Sequence, residues 1–165
     1  MPFCNNKPKF FLMEALDKID IEILRILQEN SRLTTKEIAS RVNLSTTPVF
    51  ERIKRLEESG YIKKYIALLD AGKLNRGFSV YCCVKLRRLT RDIAHNFNCV
   101  IKEIHEVVEC YNISGEYDFL LKVCAPDMKY YREFILNVLG SIDGLGSLTS
   151  MFVMDEVKHE LTVPF

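Results

Sequence analysis

No excess of charge of either sign marks this chain of 165 residues, in which 23 lysines and arginines stand against 22 aspartates and glutamates. A whole-chain pull toward nucleic acid is thereby excluded, so any DNA binding must come from a local patch. The six cysteines, Cys4, Cys82, Cys83, Cys99, Cys110 and Cys124, contain no CxxC pair. With apolar neighbours throughout, they read as buried, reduced thiols of a cytosolic protein, the adjacent Cys82 and Cys83 facing opposite sides of a strand. The three histidines, His95, His105 and His159, lack ligand spacing, so neither a metal nor a cofactor is expected. No P-loop, dinucleotide fingerprint or nucleophile-base pair is present. Apolar runs are short as well. Phe10 to Met13 is too brief for a signal-peptide core and no window reaches transmembrane length, so a cytoplasmic protein with no membrane partner is expected.

What is present is 48% hydrophobic and 27% charged, enough for one ordinary domain or two small globular ones. Residues 1–15, with two prolines and two asparagines before Phe10, read as a flexible lead-in. From Leu16 the residues Leu16, Ile19, Ile23, Ile26 and Leu27 recur on one helical face, opened by Asp17 or Asp20 and closing near Asn30. Thr34 and Glu37 have capping-box spacing, which predicts a short helix from Thr35 to Val42 with Ile38, Ala39 and Val42 inward. Asn43 suits a left-handed turn, with Leu44 as its apolar plug.

The next helix opens on Ser45-Thr46-Thr47-Pro48, with Ser45 or Thr47 as its cap, and ends at Gly60. Val49, Ile53 and Leu56 make its buried face, and Thr46, Thr47, Glu51, Arg52 and Arg55 its exposed one. Two helices about a tight turn, the second bearing cations, form a helix-turn-helix signature over residues 16–66. Arg41, Arg52, Lys54, Arg55, Lys63 and Lys64 outweigh Glu51, Glu57 and Glu58, six against three, a local patch of +3. Tyr61 to Leu69 predicts a short strand or wing, and the breaks at Asp70-Ala71-Gly72 and Asn75-Arg76-Gly77 place a linker at 67–77.

Beyond the linker the period alternates between two and 3.6. Strands are predicted over Phe78–Leu86, Glu106–Ser114, Tyr117–Cys124 and Gly146–Lys158, and helices over Asp92–Ile104 and Met128–Leu139. The order βαββαβ over residues 78–165 is the ferredoxin-like arrangement, which makes the whole chain α+β. Leu148, Phe152 and Met154 share one parity of the last strand and Met151 and Val153 the other; Val107, Tyr111 and Ile113 oppose Val108 and Cys110 in the same way. Two helices cover only one face of a four-stranded sheet, so an apolar second face predicts self-association, against which Lys85 and Lys122 argue mildly.

Leu44 to Glu57 with Gly60-Tyr61-Ile62 resembles the DNA-binding domain of the Lrp/AsnC, or feast/famine, regulators. Gly115-Glu116-Tyr117-Asp118-Phe119-Leu120-Leu121-Lys122-Val123 resembles that family's effector-binding domain, and Glu156-Val157-Lys158 its last strand. The resemblance runs from Asp17 to the end. It implies a prokaryotic, nucleoid-associated transcription regulator that binds double-stranded operator DNA and pairs through its C-terminal sheets into dimers and further into octamers. It also implies an amino-acid or related effector held between C-terminal domains. Ser45, Thr46, Thr47, Pro48, Glu51, Arg52, Lys54 and Arg55 are then the expected DNA-binding residues, and Gly115, Glu116, Tyr117 and Asp118 the effector-binding ones, with Asp118 accepting hydrogen bonds from an α-ammonium group. On this reading Arg52→Ala or Arg55→Ala abolishes tight promoter binding. Two rival readings remain: a siroheme-type tetrapyrrole decarboxylase of the same two-domain layout, which would need histidine or arginine near a substrate pocket although nothing marks His95 or His105 as catalytic, and a small-molecule sensor that does not bind DNA.

Overall fold

The computed structural model describes residues 15–165, so the lead-in before Ala15 and Cys4 lie outside the described residues. Two compact units divide the chain: residues up to Ala67 together with Leu161–Phe165, and Leu68–Glu160. The last five residues thus pack with the first unit, where the sequence pattern had assigned them to the second.

The first unit contains α1 (Lys18–Glu29), α2 (Thr35–Arg41) and α3 (Thr46–Glu58). Both α1 and α2 start on reciprocal capping boxes, Asp17 with Asp20 and Thr34 with Glu37, so each satisfies backbone donors that a helix start leaves orphaned. Asn43 takes φ 54°, the left-handed conformation that lets α3 turn back on α2. Ile23, Ile26, Leu27, Ile38, Ala39, Val49 and Leu56 form the core, with Leu44 and Ile53 packed at its margin. Tyr61 to Leu69 pairs with no strand, and Ile66, Leu68 and Leu69 stay exposed, so the expected wing is absent from the described residues. The tail docks on α1. The Gln28 amide donates to the Val163 carbonyl at 3.2 Å and accepts from its N–H at 2.7 Å, while the Arg25 guanidinium donates to the Phe165 backbone oxygen at 2.9 and 3.3 Å and lies 5.9 Å from its ring centre.

The second unit runs β1 (Phe78–Leu86), α4 (Arg91–Lys102), β2 (Val107–Asn112), β3 (Phe119–Ala125), α5 (Met128–Asn137), a short 3-10 turn (Leu139–Ser141) and β4 (Leu145–Phe152). Its four strands pair antiparallel in the order β2-β3-β1-β4, the ferredoxin-like arrangement. Val80, Cys82, Val84 and Leu86 of β1 and Phe119, Leu121, Val123 and Ala125 of β3 point to the helices, meeting Phe97, Ile101, Tyr131 and Phe134. Phe97 and Phe119 pack ring to ring at 4.6 Å. The pleat sends Tyr81, Cys83 and Lys85 to the other face, where Lys122 lies 3.6 Å from the Glu109 carboxylate and 6.0 Å from the Tyr81 ring centre.

Three details depart from the pattern. A register shift between Val107 and Glu109 puts Val107 opposite Val123 and Tyr111 opposite Leu120, so these two residues, expected on one face, lie on different ones. The last strand ends at Phe152, well short of Lys158. Among the cysteines Cys82 and Cys83 are buried, but Cys99 and Cys110 are exposed, contrary to the uniform burial expected.

Candidate nucleic-acid interface

Ser45 is the cap of α3 by position, yet its side chain makes no capping hydrogen bond. The first turn, Thr46-Thr47-Pro48, therefore presents its backbone donors without a side-chain lid, and Pro48 adds no donor of its own. At 100° per residue, Thr47, Glu51, Lys54 and Glu58 stand opposite the buried Val49 and Leu56, and all four are exposed. Thr46 and Phe50 occupy the flank toward α2, where a shallow cleft of about 280 Å³ is lined by Thr35, Thr46, Thr47 and Phe50.

Arg52 departs from the exposed placement expected for it, whereas Arg55 is exposed as expected, with 45% of its side chain accessible, and yet also reaches α1. Arg52 faces α1 and keeps only 25% of its side chain exposed, donating to Asp17 at 2.6 Å and to Asp20 at 2.7 Å. Arg55 donates to the other Asp20 oxygen at 2.6 Å. Asp20 itself is 1% exposed, and the backbone N–H of Asp17 also reaches its carboxylate at 3.2 Å. The buried acid is thus paired and hydrogen-bonded on both oxygens, the condition under which an ion pair can sit inside a core. The Asp17 carboxyl is held below its ordinary value, first by the Asp20 N–H and then by Arg52, and its two carboxylate neighbours raise the Arg52 guanidinium. The sequence marked Asp20 only as a possible helix opener, not as the buried partner of the arginines, although it interrupts the apolar stripe of Leu16, Ile19, Ile23 and Leu27.

Counting Asp17 and Asp20 leaves six cations against five anions, and the local +3 falls to +1.

The second group of expected site residues lies at one end of the sheet. Gly115 has φ 121°, open to glycine alone, and nothing lies within 4 Å of where a Cβ would project. Asp118 is half-buried and already engaged: its Oδ2 accepts from the Leu86 N–H at 2.8 Å, where β1 shifts register, and its N–H donates to the Val84 carbonyl at 2.9 Å. The Tyr117 hydroxyl lies 3.2 Å from the Thr149 hydroxyl of β4. Gly115 and Glu116 are exposed, and the four residues form one contiguous turn. His95 is 3.6 Å from Cys99 and His159 is 3.7 Å from Glu156. No helix among the described residues is long and apolar enough to cross a membrane.

Residues 16–63 match a family model described as winged helix-turn-helix DNA-binding, and residues 79–163 one described as the Lrp/AsnC ligand-binding domain. The chain is 37% identical over 149 residues to the DNA-binding transcriptional activator DecR of Escherichia coli K12, covering 90% of this chain and 98% of that one. It is 38% identical over 144 residues to the leucine-responsive regulatory protein of the same strain, covering 87% and 88%. Among solved structures, a transcriptional regulator of Neisseria meningitidis in complex with L-Met superimposes with a TM-score of 0.86 at 38% identity, over 91% of this chain and 97% of that one.

Proposed function

The chain belongs to the Lrp/AsnC family of DNA-binding transcriptional regulators, and we propose from that premise how its residues divide the work of binding an operator. It is a regulator and not an enzyme. Residues 16–66 are the DNA-binding part, 67–77 the linker and 78–165 the effector and assembly part, save that Leu161–Phe165 serves the first. The exposed N-terminal half of α3 enters the major groove. Ser45, Thr46 and Thr47 meet base edges or phosphates there, Glu51 accepts from a base-edge amino group, Lys54 neutralises backbone charge, and Pro48 shapes the first turn. Arg52 and Arg55 act from behind, anchoring α3 to α1 through Asp17 and Asp20. The observation that carries this division is the buried Asp20 carboxylate held by both arginines.

A patch of +1 releases few counterions, so one copy binds weakly. Copies therefore act together: the open sheet face of Tyr81, Cys83, Leu120 and Met151, with the Lys122–Glu109 pair, meets its counterpart in a dimer, and dimers assemble further into an octamer. An amino acid bound near the turn of Gly115, Glu116, Tyr117 and Asp118 tunes that assembly. The free Asp118 oxygen is the acceptor for its ammonium group, since Oδ2 already serves Leu86. The site of action is the nucleoid in a prokaryotic cytoplasm.

Capture of genomic fragments by the full chain, followed by sequencing, tests the reading. Enrichment of a few pseudo-palindromic sites with half-sites one or a few helical turns apart supports it. Recovery that mirrors input DNA contradicts it. Thermal-shift screening of the amino acids tests the effector, because a ligand above its dissociation constant raises stability by RT ln(1 + [L]/Kd).

A further inference from the structure

Neither packing nor charge accounts for Phe50. It is 58% exposed while its neighbour Val49 is fully buried, and the core of the helical unit closes without it. Its ring borders a shallow cleft lined otherwise by Thr35, Thr46 and Thr47. As the fifth residue of α3 it lies in the half that recognition helices turn toward base edges.

We propose that Phe50 is a specificity-determining residue whose ring contacts the 5-methyl group of a thymine in the major groove. The inference rests on the assignment of α3 as the reading helix. Among the features on major-groove base edges, the thymine methyl is the apolar one. A phenyl ring offers no donor or acceptor, so facing any other base edge it strips water from polar atoms and returns nothing. Facing thymine it buries apolar surface on both sides. The hydroxyls of Thr46 and Thr47 beside it serve the neighbouring polar edges, and Lys54, one turn on, lies within reach of the flanking backbone. The same helix face thus carries one apolar reader set among polar ones, which discriminates thymine from cytosine at a single step of each half-site.

The test uses the full chain and duplexes selected by it from a random library, with each thymine in turn replaced by uracil, which removes only the methyl group. Uracil at one position per half-site is expected to weaken binding about fourfold, the loss of one buried methyl contact. Phe50→Ala should bind the thymine and uracil duplexes equally, and Phe50→Leu, which keeps an apolar group there, should retain a difference. Methyl sensitivity that persists unchanged in Phe50→Ala, or an absence of any sensitive thymine with the wild-type chain, overturns the assignment. If selection enriches no sequence at all, the reading of α3 fails and this inference with it; enrichment without methyl sensitivity removes Phe50 alone.

Discussion

In the helical unit charged side chains hold one element to another, whereas in the sheet unit apolar side chains do so and polar groups close the margins. Asp20 lies beneath α3 with Arg52 and Arg55 clasped to it, and the apolar core beside it is small. The sheet unit has a larger apolar core, and its polar anchors, Asp118 on the Leu86 N–H and Tyr117 against Thr149, stand at the strand ends. This contrast is the basis for assigning Arg52 and Arg55 an anchoring role in the proposed division of α3. A three-helix unit is small for apolar burial alone, and in that division Arg52 and Arg55 brace it while the short polar residues and Phe50 on the other side do the reading.

The largest effect expected from breaking this contrast is at Asp20. Asp20→Asn removes the buried charge that both arginines clasp, while Arg52 keeps Asp17, and should destabilise the helical unit by about 2–3 kcal/mol, below the full cost of a broken buried pair because both guanidinia are partly exposed. Calorimetry should show its transition falling while that of the sheet unit stays put. Gly146→Ala is the mirror experiment. Its Cβ would sit 2.9 Å from the Lys85 carbonyl and 3.0 Å from the Arg87 N–H nitrogen, both rigid backbone, so about 2 kcal/mol should be lost from the sheet unit alone. A joint shift of both transitions in either variant would erase the distinction.

Acid should separate the units more gently. Asp17 is held below 3.8 by the Asp20 N–H and Arg52, and Glu37 below 4.5 by the Thr34 hydroxyl and N–H. A carboxyl depressed in the folded state stabilises above its ordinary value, and that contribution fades as pH falls through the folded value. In the sheet unit Glu106 is depressed in the same way, first by the Tyr130 hydroxyl. The helical transition, with two such groups, should therefore move further than the sheet transition as pH falls from 4.5 to below 3.8. Thermal melts across that window check it, and equal movement of both would count against the assignment.

The smallest effect is at the tail. Gln28→Ala removes both bonds to Val163 and should cost the helical unit no more than about 1 kcal/mol, because the contact is exposed. Amide exchange at Val163 should nonetheless quicken several-fold, since its N–H loses the 2.7 Å acceptor.

Local chemistry was the legible part. The Thr34–Glu37 capping box, the left-handed Asn43, the three helices and the βαββαβ order all lie in patterns a few residues long, where side-chain period and cap geometry decide the outcome. What escaped is set by distant partners. The register shift after Val107 depends on β3, the docking of Leu161–Phe165 depends on a helix about 135 residues earlier, and the wing lacks a strand to pair with. At the interface, the polar character of Thr46, Thr47 and Lys54 was readable, but the inward turn of Arg52 was not, because periodicity places arginine outside unless a buried acid faces it. Phe50 was assigned to neither face of its helix, and its exposure emerges only from the fold.

The salt dependence of operator binding tests the division of α3 most directly, with the wild-type chain, Lys54→Ala and Arg52→Ala compared under conditions where all three are folded. The account predicts that Lys54→Ala lowers the slope of log K against log salt by about 0.9 for each bound copy, and that Arg52→Ala weakens binding with the slope unchanged. A reduced slope in Arg52→Ala would place its guanidinium on a phosphate and contradict the account.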